Sequence, residues 1–215
     1  MHDALQQLLN HRSDLWRGRT RSVRQAIPTG HAALDALLPD GGWPCGRLIE
    51  LLPERVGSGE LELLLPMLAG QTAGGRYALF ACPPLVPCPQ RLAAEGVELS
   101  RLLVIRSSRF AAWSAEQALK SGLCGAVLFW PEPRAIHERM LRRLQLAAEQ
   151  RPTMLFVCYP PGSRPPPSIA TLRLAIHAGG EVRVLRHRHG QPAAGIRIAA
   201  DNVIALHTRR RTAGR

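Results

Sequence analysis

Apolar and polar positions along this chain fall into two periods, and the change from one to the other divides it. Between residues 47 and 159 short unbroken apolar runs alternate with longer amphipathic ones. "RLIELL" (residues 47–52), "RYALFAC" (76–82), "LLVIRS" (102–107), "GAVLFW" (125–130) and "TMLFVCY" (153–159) read as strands, the first and fourth of them buried. Between them "CPQRLAAEGV" (88–97), "AAWSAEQALKSG" (111–122) and "RAIHERMLRRLQLAAEQ" (134–150) read as helices, the last the longest. Its stripe of Ile136, Met140, Leu144 and Ala147 is expected to dock on the sheet. Further on, "ATLRLAIH", "EVRVLRHRH" and "GIRIAA" alternate with period two, as half-buried antiparallel strands do. The pattern predicts an α/β fold: a mostly parallel twisted sheet flanked by helices, with antiparallel strands at its C-terminal edge.

Ahead of this body, residues 3–17 form a helix candidate that Asp3 can cap, with Leu5, Leu8, Leu9, Leu15 and Trp16 as its apolar positions. Leu5, Leu8 and Leu9 are candidates for docking on this domain or on another protein. A basic linker, "RGRTRSVR", follows, and the compact domain begins at "IPTGHAALDALLPDGGWPCG". There Thr29 can cap a short helix carrying Leu34, Leu37 and Leu38. The expected organisation is an N-terminal helix and linker over residues 1–26, one domain over 27–206, and a basic disordered tail over 207–215.

Charge changes this picture. The 215 residues carry 27 Arg and a single Lys against 16 acids, for a net charge of +12. Such a balance favours anionic partners, nucleic acid first and an acidic protein surface second, although an arginine-rich proteome produces the same bias. Arg139, Arg142 and Arg143 share overlapping helix faces, and Arg209, Arg210 and Arg211 crowd the tail. Both groups read equally as contacts for DNA or an acidic partner and as solvated surface. Any DNA contact would be to phosphates and indifferent to sequence, because no base-reading motif is present. No apolar run of about 18 residues and no leader pattern is visible, so the chain reads as a soluble cytoplasmic protein without a membrane contact. The five cysteines are odd in number and widely spaced, and Cys82 and Cys88 lack a second pair at zinc spacing. They read as reduced thiols. His187 and His189 share a strand face without a third ligand, so no metal site is expected.

One stretch carries candidate chemistry. "LLPERVGSGELELLL" (51–65) passes from an apolar strand through a glycine turn into an apolar helix expected to start at Leu61. That is the outline of a phosphate-binding loop, which needs lysine for the β- and γ-phosphates and a hydroxyl for Mg²⁺. Gly57, Ser58 and Gly59 supply the turn, but Glu60 and Leu61 stand at the two functional positions. A carboxylate about 4 Å from a phosphate charge costs roughly 4 kcal/mol at an effective dielectric near 20. Gly57, Ser58, Gly59 and Glu60 therefore read as a vestigial loop, with no catalytic residues and no cofactor.

The order of these motifs resembles the RecA recombinase core. "IPTGHAALDALLPDGGWPCGRLIELLP" is similar to that family's segment leading into its phosphate loop. "EGVELSRLLVIR" is similar to its next helix-to-strand crossing, and "TLRLAI…EVRVLRHR" to its late antiparallel strands. Within that superfamily the shortness and the missing site look closest to the ImuA family, RecA/SulA-like accessory proteins of damage-induced mutagenic translesion synthesis. RecA-type enzymes also carry an acid after the second core strand, where this chain has "ACPPLVP", and a metal-associated acid on a strand that here reads "AVLFWPEP". Losing lysine, hydroxyl and base together removes most of the machinery of phosphoryl transfer.

The resemblance implies a non-catalytic adaptor of the SOS response. Its implied partners are a Y-family-polymerase-like subunit of the ImuB type, an error-prone replicative-type DNA polymerase, and RecA itself, with weak non-specific DNA binding besides. The alternative it implies is a SulA-like cell-division inhibitor capping a tubulin-like protofilament. A true ATPase with an unusual loop is the third reading.

Overall fold

The computed structural model describes residues 25–38, 40–163, 169–187 and 196–197. In chain order the elements are β1 (Ala26–Ile27), α1 (Ala32–Leu37), β2 (Trp43–Pro44), β3 (Leu48–Pro53), α2 (Leu65–Ala73), β4 (Tyr77–Ala81) and α3 (Pro89–Ala94). There follow β5 (Leu102–Ile105), α4 (Ser108–Ser121), β6 (Cys124–Phe129), α5 (Glu138–Glu149), β7 (Met154–Cys158), β8 (Leu172–Ile176), β9 (Glu181–His187) and β10 (Ile196–Arg197).

Eight strands form one sheet in the order β10-β9-β8-β3-β7-β6-β4-β5. From β8 to β5 every neighbouring pair is parallel. β8–β9 and β9–β10 are antiparallel. This is the α/β architecture that the apolar pattern predicts, a mostly parallel sheet with an antiparallel edge, consistent with a RecA-like core.

The reason lies in burial. Every residue of β6 and β7 is buried, because helices cover both faces of the sheet. On one face Ile49, Leu51, Phe80, Leu128 and Phe156 pack with Leu65 and Leu68 of α2 and with Trp43. On the other, Leu48, Val127, Leu155 and Val157 pack with Ala115 and Leu119 of α4 and Met140 and Leu144 of α5. Each of the larger of these apolar side chains contributes roughly 1.5–3 kcal/mol on full burial.

Several expectations need correction. The helix expected over residues 134–150 starts only at Glu138, after a separate 3₁₀ turn over Pro133–Ala135. His137 remains extended, and its ring Nδ1 accepts the Met140 amide at 3.1 Å, so the side chain itself fixes the start. α4, at 14 residues, is therefore the longest described helix. Its Ala115 and Leu119 stand on the docking face beside those of α5.

Thr29 does not cap α1; His31 holds that position. Thr29 Oγ1 instead accepts the His31 amide at 3.0 Å, while its own N–H donates to Asp35 Oδ1 at 2.8 Å. The small β1–β2 ribbon, pairing Ile27 with Trp43, is not signalled by periodicity because each strand has only two residues. The candidate helix with Leu5, Leu8 and Leu9, the tail with Arg209, Arg210 and Arg211, and His189 lie outside the described residues. Among the described residues no helix is long and apolar enough to cross a membrane.

Candidate functional site

β3 lies between β7 and β8 and delivers the glycine loop to the carboxyl edge of the sheet. In open α/β sheets the ligand crevice forms at that edge. The loop sits where a nucleotide would be held, and its chemistry is decided residue by residue.

Gly57 and Gly59 have φ of +78° and +99°, backbone that only glycine adopts freely. Between them Ser58 is buried and saturated. Its hydroxyl donates to the Arg55 carbonyl at 2.8 Å and accepts the Arg55 amide at 3.0 Å. The hydroxyl thus closes the turn on itself and is not presented to a ligand. Beyond the turn the chain makes a 3₁₀ segment, Glu62–Leu64, and the α-helix begins at Leu65. The apolar helix expected from Leu61 thus starts one turn late. The Leu64 amide bonds the Leu61 carbonyl at 2.9 Å, in the tighter i→i+3 geometry.

Glu60, at the lysine position, is buried, and its Oε2 has no hydrogen-bond partner among the described residues. The thiol of Cys158, at the end of β7, is pushed up first by its own burial and then by the Glu60 charge. The Glu60 side chain is thus drawn in from solvent, its Oε2 out of reach of water. Glu54, at the start of the loop, is turned away. Its Oε2 accepts the Ala178 amide at 2.9 Å, which, ahead of His177 and Arg55, holds its carboxyl below the usual range.

The neighbouring strand ends are equally altered. β4 exits into Cys82, whose φ is +60°, with its N–H bound to the Ile105 carbonyl at 2.6 Å. β6 exits into Trp130, packed edge-on to Phe80 at 5.6 Å, and then buried Pro131. Glu132 beyond them is exposed. These residues do not fit a nucleoside triphosphate with its metal. Among the described residues no group of three His, Cys, Asp or Glu could hold a metal ion either.

The scaffold under the loop is nevertheless tightly built. Gly30 has φ +87°, and a Cβ there would stand 2.3 Å from Pro66 Cβ in the first turn of α2. His31 Nε2–H donates to the Leu63 carbonyl at 3.2 Å. The Thr29-Gly30-His31 segment therefore clamps the helix that follows the loop.

A second cluster escaped sequence reasoning. Glu50, fully buried in β3, accepts the Tyr159 hydroxyl at 2.8 Å and Arg173 Nε at 2.7 Å. Burial, ahead of the Glu50 charge, pushes the Tyr159 hydroxyl well above its ordinary range, so it stays a donor. The three come from the middle of β3, the start of β8 and the residue after β7, and only the register of Glu50 with Arg173 unites two of them. No spacing rule would have found them.

The arginines of α5 divide. Arg142 pairs with Glu138 at 2.6 Å on the same helix. Arg143 reaches Glu116 of α4 at 2.8 Å, and Glu116 also accepts Lys120 at 2.7 Å. Arg139 is exposed and has no carboxylate partner among the described residues. Of the three candidates, the geometry leaves Arg139 freest to meet an anion.

All five cysteines are free. Burial raises the thiols of Cys45, Cys124 and Cys158, while Cys88 is exposed. A raised thiol pKa means less thiolate at a given pH, hence slower alkylation. Iodoacetamide at pH 8 should label Cys88 first and leave Cys124 and Cys158 unmodified until the protein unfolds. Peptide mass spectrometry over time reads the order, and early labelling of Cys158 would contradict its burial at the end of β7.

The chain is similar to RecA proteins over slightly under half its length. It is 38% identical over 102 residues to Protein RecA of Frankia alni, 47% of this chain and 28% of that one. It is 37% identical over 101 residues to Protein RecA of Acholeplasma laidlawii, 46% of this chain and 30% of that one. With Protein RecA of Paenarthrobacter aurescens it shares 35% identity over 102 residues, 47% and 27% of the two chains. The match thus spans between a quarter and a third of the length of these curated relatives. No family model matches the chain.

Proposed function

We propose that this chain is a non-catalytic, RecA-like accessory protein of DNA-damage-induced mutagenic translesion synthesis. In this role it acts through protein contacts with polymerase subunits and RecA rather than through nucleotide turnover. The observation that carries the reading is the pairing of an intact RecA-like scaffold with a disabled loop. Glu60 is buried where a lysine would reach phosphate, and Ser58 spends its hydroxyl inside the turn. Phosphoryl transfer depends on positioned charge, and here the positioned charge has the wrong sign.

A body of this kind would bind its partners constitutively, without nucleotide control. Two measurements test it together. Co-expression with a Y-family-polymerase-like subunit, an error-prone replicative-type polymerase and RecA should give a co-eluting complex in gel filtration. Mg²⁺-ATP at 1 mM should leave both that complex and the thermal midpoint unchanged, because a ligand at a hundred times its Kd would add about 2.7 kcal/mol of stability. A clear rise of the midpoint with ATP, or turnover above background, would overturn the non-catalytic part. Absence of a complex with all three partners would overturn the adaptor part.

A further inference from the structure

The charge around the glycine turn runs against that of the rest of the chain. Residues 54–62 hold three glutamates and one arginine, in a sequence with 28 basic residues against 16 acids. Glu54 is engaged by the Ala178 amide, with His177 and Arg55 beside it. Glu60 and Glu62 have no cationic partner among the described residues. Glu60 is only 8% exposed, and its Oε2 is closed to water and without a hydrogen bond. A carboxylate taken out of water without a counter-charge destabilises the fold that holds it. Such an orphan calls for a cause, and its chemical complement is a cation brought from outside the chain.

The surroundings restrict that cation. Among the described residues no group of three His, Cys, Asp or Glu stands here to bind a metal ion. Beside the turn there is room for an incoming side chain. A Cβ on Gly57 would meet nothing within 4 Å, and one on Gly59 only Glu62 Oε2 at 4.0 Å. Glu60 follows Gly59 directly, so the two carboxylates flank one turn. The neighbours Leu61, Leu63, Leu64 and Leu65 are apolar. An apolar stem ending in a compact charge suits these walls, and it needs less width than a planar guanidinium.

We propose that the glycine turn receives a lysine of a partner protein, whose ammonium pairs with Glu60 and Glu62. A backbone shape suited to phosphate then serves a ligand of the opposite sign. A second copy of this chain is not the donor. Lys120 is its single lysine, and that ammonium is already bound to Glu116 on α4 at 2.7 Å. The inference rests on the non-catalytic reading of the loop and not on the translesion role.

The probe is Nα-acetyl-lysine methylamide with the full chain, against its Nε-acetylated form and sodium chloride at equal concentration. At about 50 mM the free ammonium alone should raise the thermal midpoint by about 2 °C or more. Amide NMR shifts should centre on Gly57, Gly59 and Glu62. Glu60→Gln is nearly isosteric and removes the unpaired charge. It should raise the midpoint of the free chain by about 2–4 °C and abolish the response to the probe. Glu62→Gln should weaken probe binding about threefold and leave the fold unaltered. No response of the natural chain would overturn the proposal. So would an equal response to sodium chloride, meaning an adventitious ion only, to the acetylated probe, or in Glu60→Gln. A Glu60→Gln chain that melts lower than the natural one would also overturn it. Spermidine acting as strongly at about a fiftieth of the concentration would assign the turn to a free polyamine and overturn the partner's lysine. A midpoint raised by Mg²⁺-ATP would overturn the loop reading itself, which no result of the lysine series does.

Discussion

Replacing Arg173 with alanine should lower the stability of this protein by about 3–5 kcal/mol. The cause is not loss of a favourable pair as such. Glu50 is fully buried in β3, and Arg173 meets it at 2.7 Å from β8. Removing the guanidinium takes a counter-charge at 2.7 Å away from a carboxylate in the interior, while the Tyr159 hydroxyl still donates to it. For a chain of this size that loss is a fall in thermal midpoint of roughly 6–20 °C. The sign of the argument can be checked by a second change. Arg173→Met with Glu50→Leu removes both charges and should recover much of the loss, because apolar replacements of buried pairs are often neutral. Scanning calorimetry of the two variants decides the matter. If the single and double variants melt together, the pair does not carry the interior charge as described.

Trp43→Ala is expected to cost a similar amount, about 3–5 kcal/mol, through a cavity rather than a charge. Trp43 is fully buried, and its ring meets Phe156 of β7 at 5.2 Å, nearly perpendicular. It belongs to the two-residue β2, so one side chain anchors the whole β1–β2 ribbon against the sheet. The backbone there has no slack, since a Cβ on Gly42 would stand 2.2 Å from the Ile27 carbonyl oxygen. Trp43→Phe keeps most of the apolar volume and should lose less than half as much. Urea titration of both variants reads the difference, and equal midpoints would mean that the ring does not hold the ribbon.

What was legible in the sequence follows from where water is absent. β4, β6 and β7 were found to within a residue or two because strands buried on both faces are apolar without interruption, and β3 because only Glu50 breaks its run. The glycine turn was legible for another reason: the spacing of Gly57 and Gly59, and the acid that follows them, can be read locally. Glu60 could be named from position alone, but not that it is buried with an unpartnered Oε2. The Glu50–Tyr159–Arg173 cluster was invisible, since its members stand 109 and 123 positions apart in the chain. The start of α5 was misplaced because a histidine cap carries no strong sequence signal, whereas the arginine run before and within it does. The same run made three arginines look alike, although two of them are spent on Glu138 and Glu116.

The position of β3 in the sheet has a consequence in time. It is the first strand of the sheet to be made, yet its two neighbours are β7 and β8. Leu48 pairs with Leu155, and Ile49 with Leu172, more than a hundred residues later. During synthesis β3 and the loop it carries therefore wait, unpaired, until the ribosome has delivered nearly the whole domain. Such distant pairing slows folding, because chain entropy is lost before the contacts repay it. The half made first, β4 with β5 and β6, can form beforehand, and its completion of the sheet through β7 becomes the late step. A nascent chain stopped before residue 154 would hold a loop with no strand on either side to shape it.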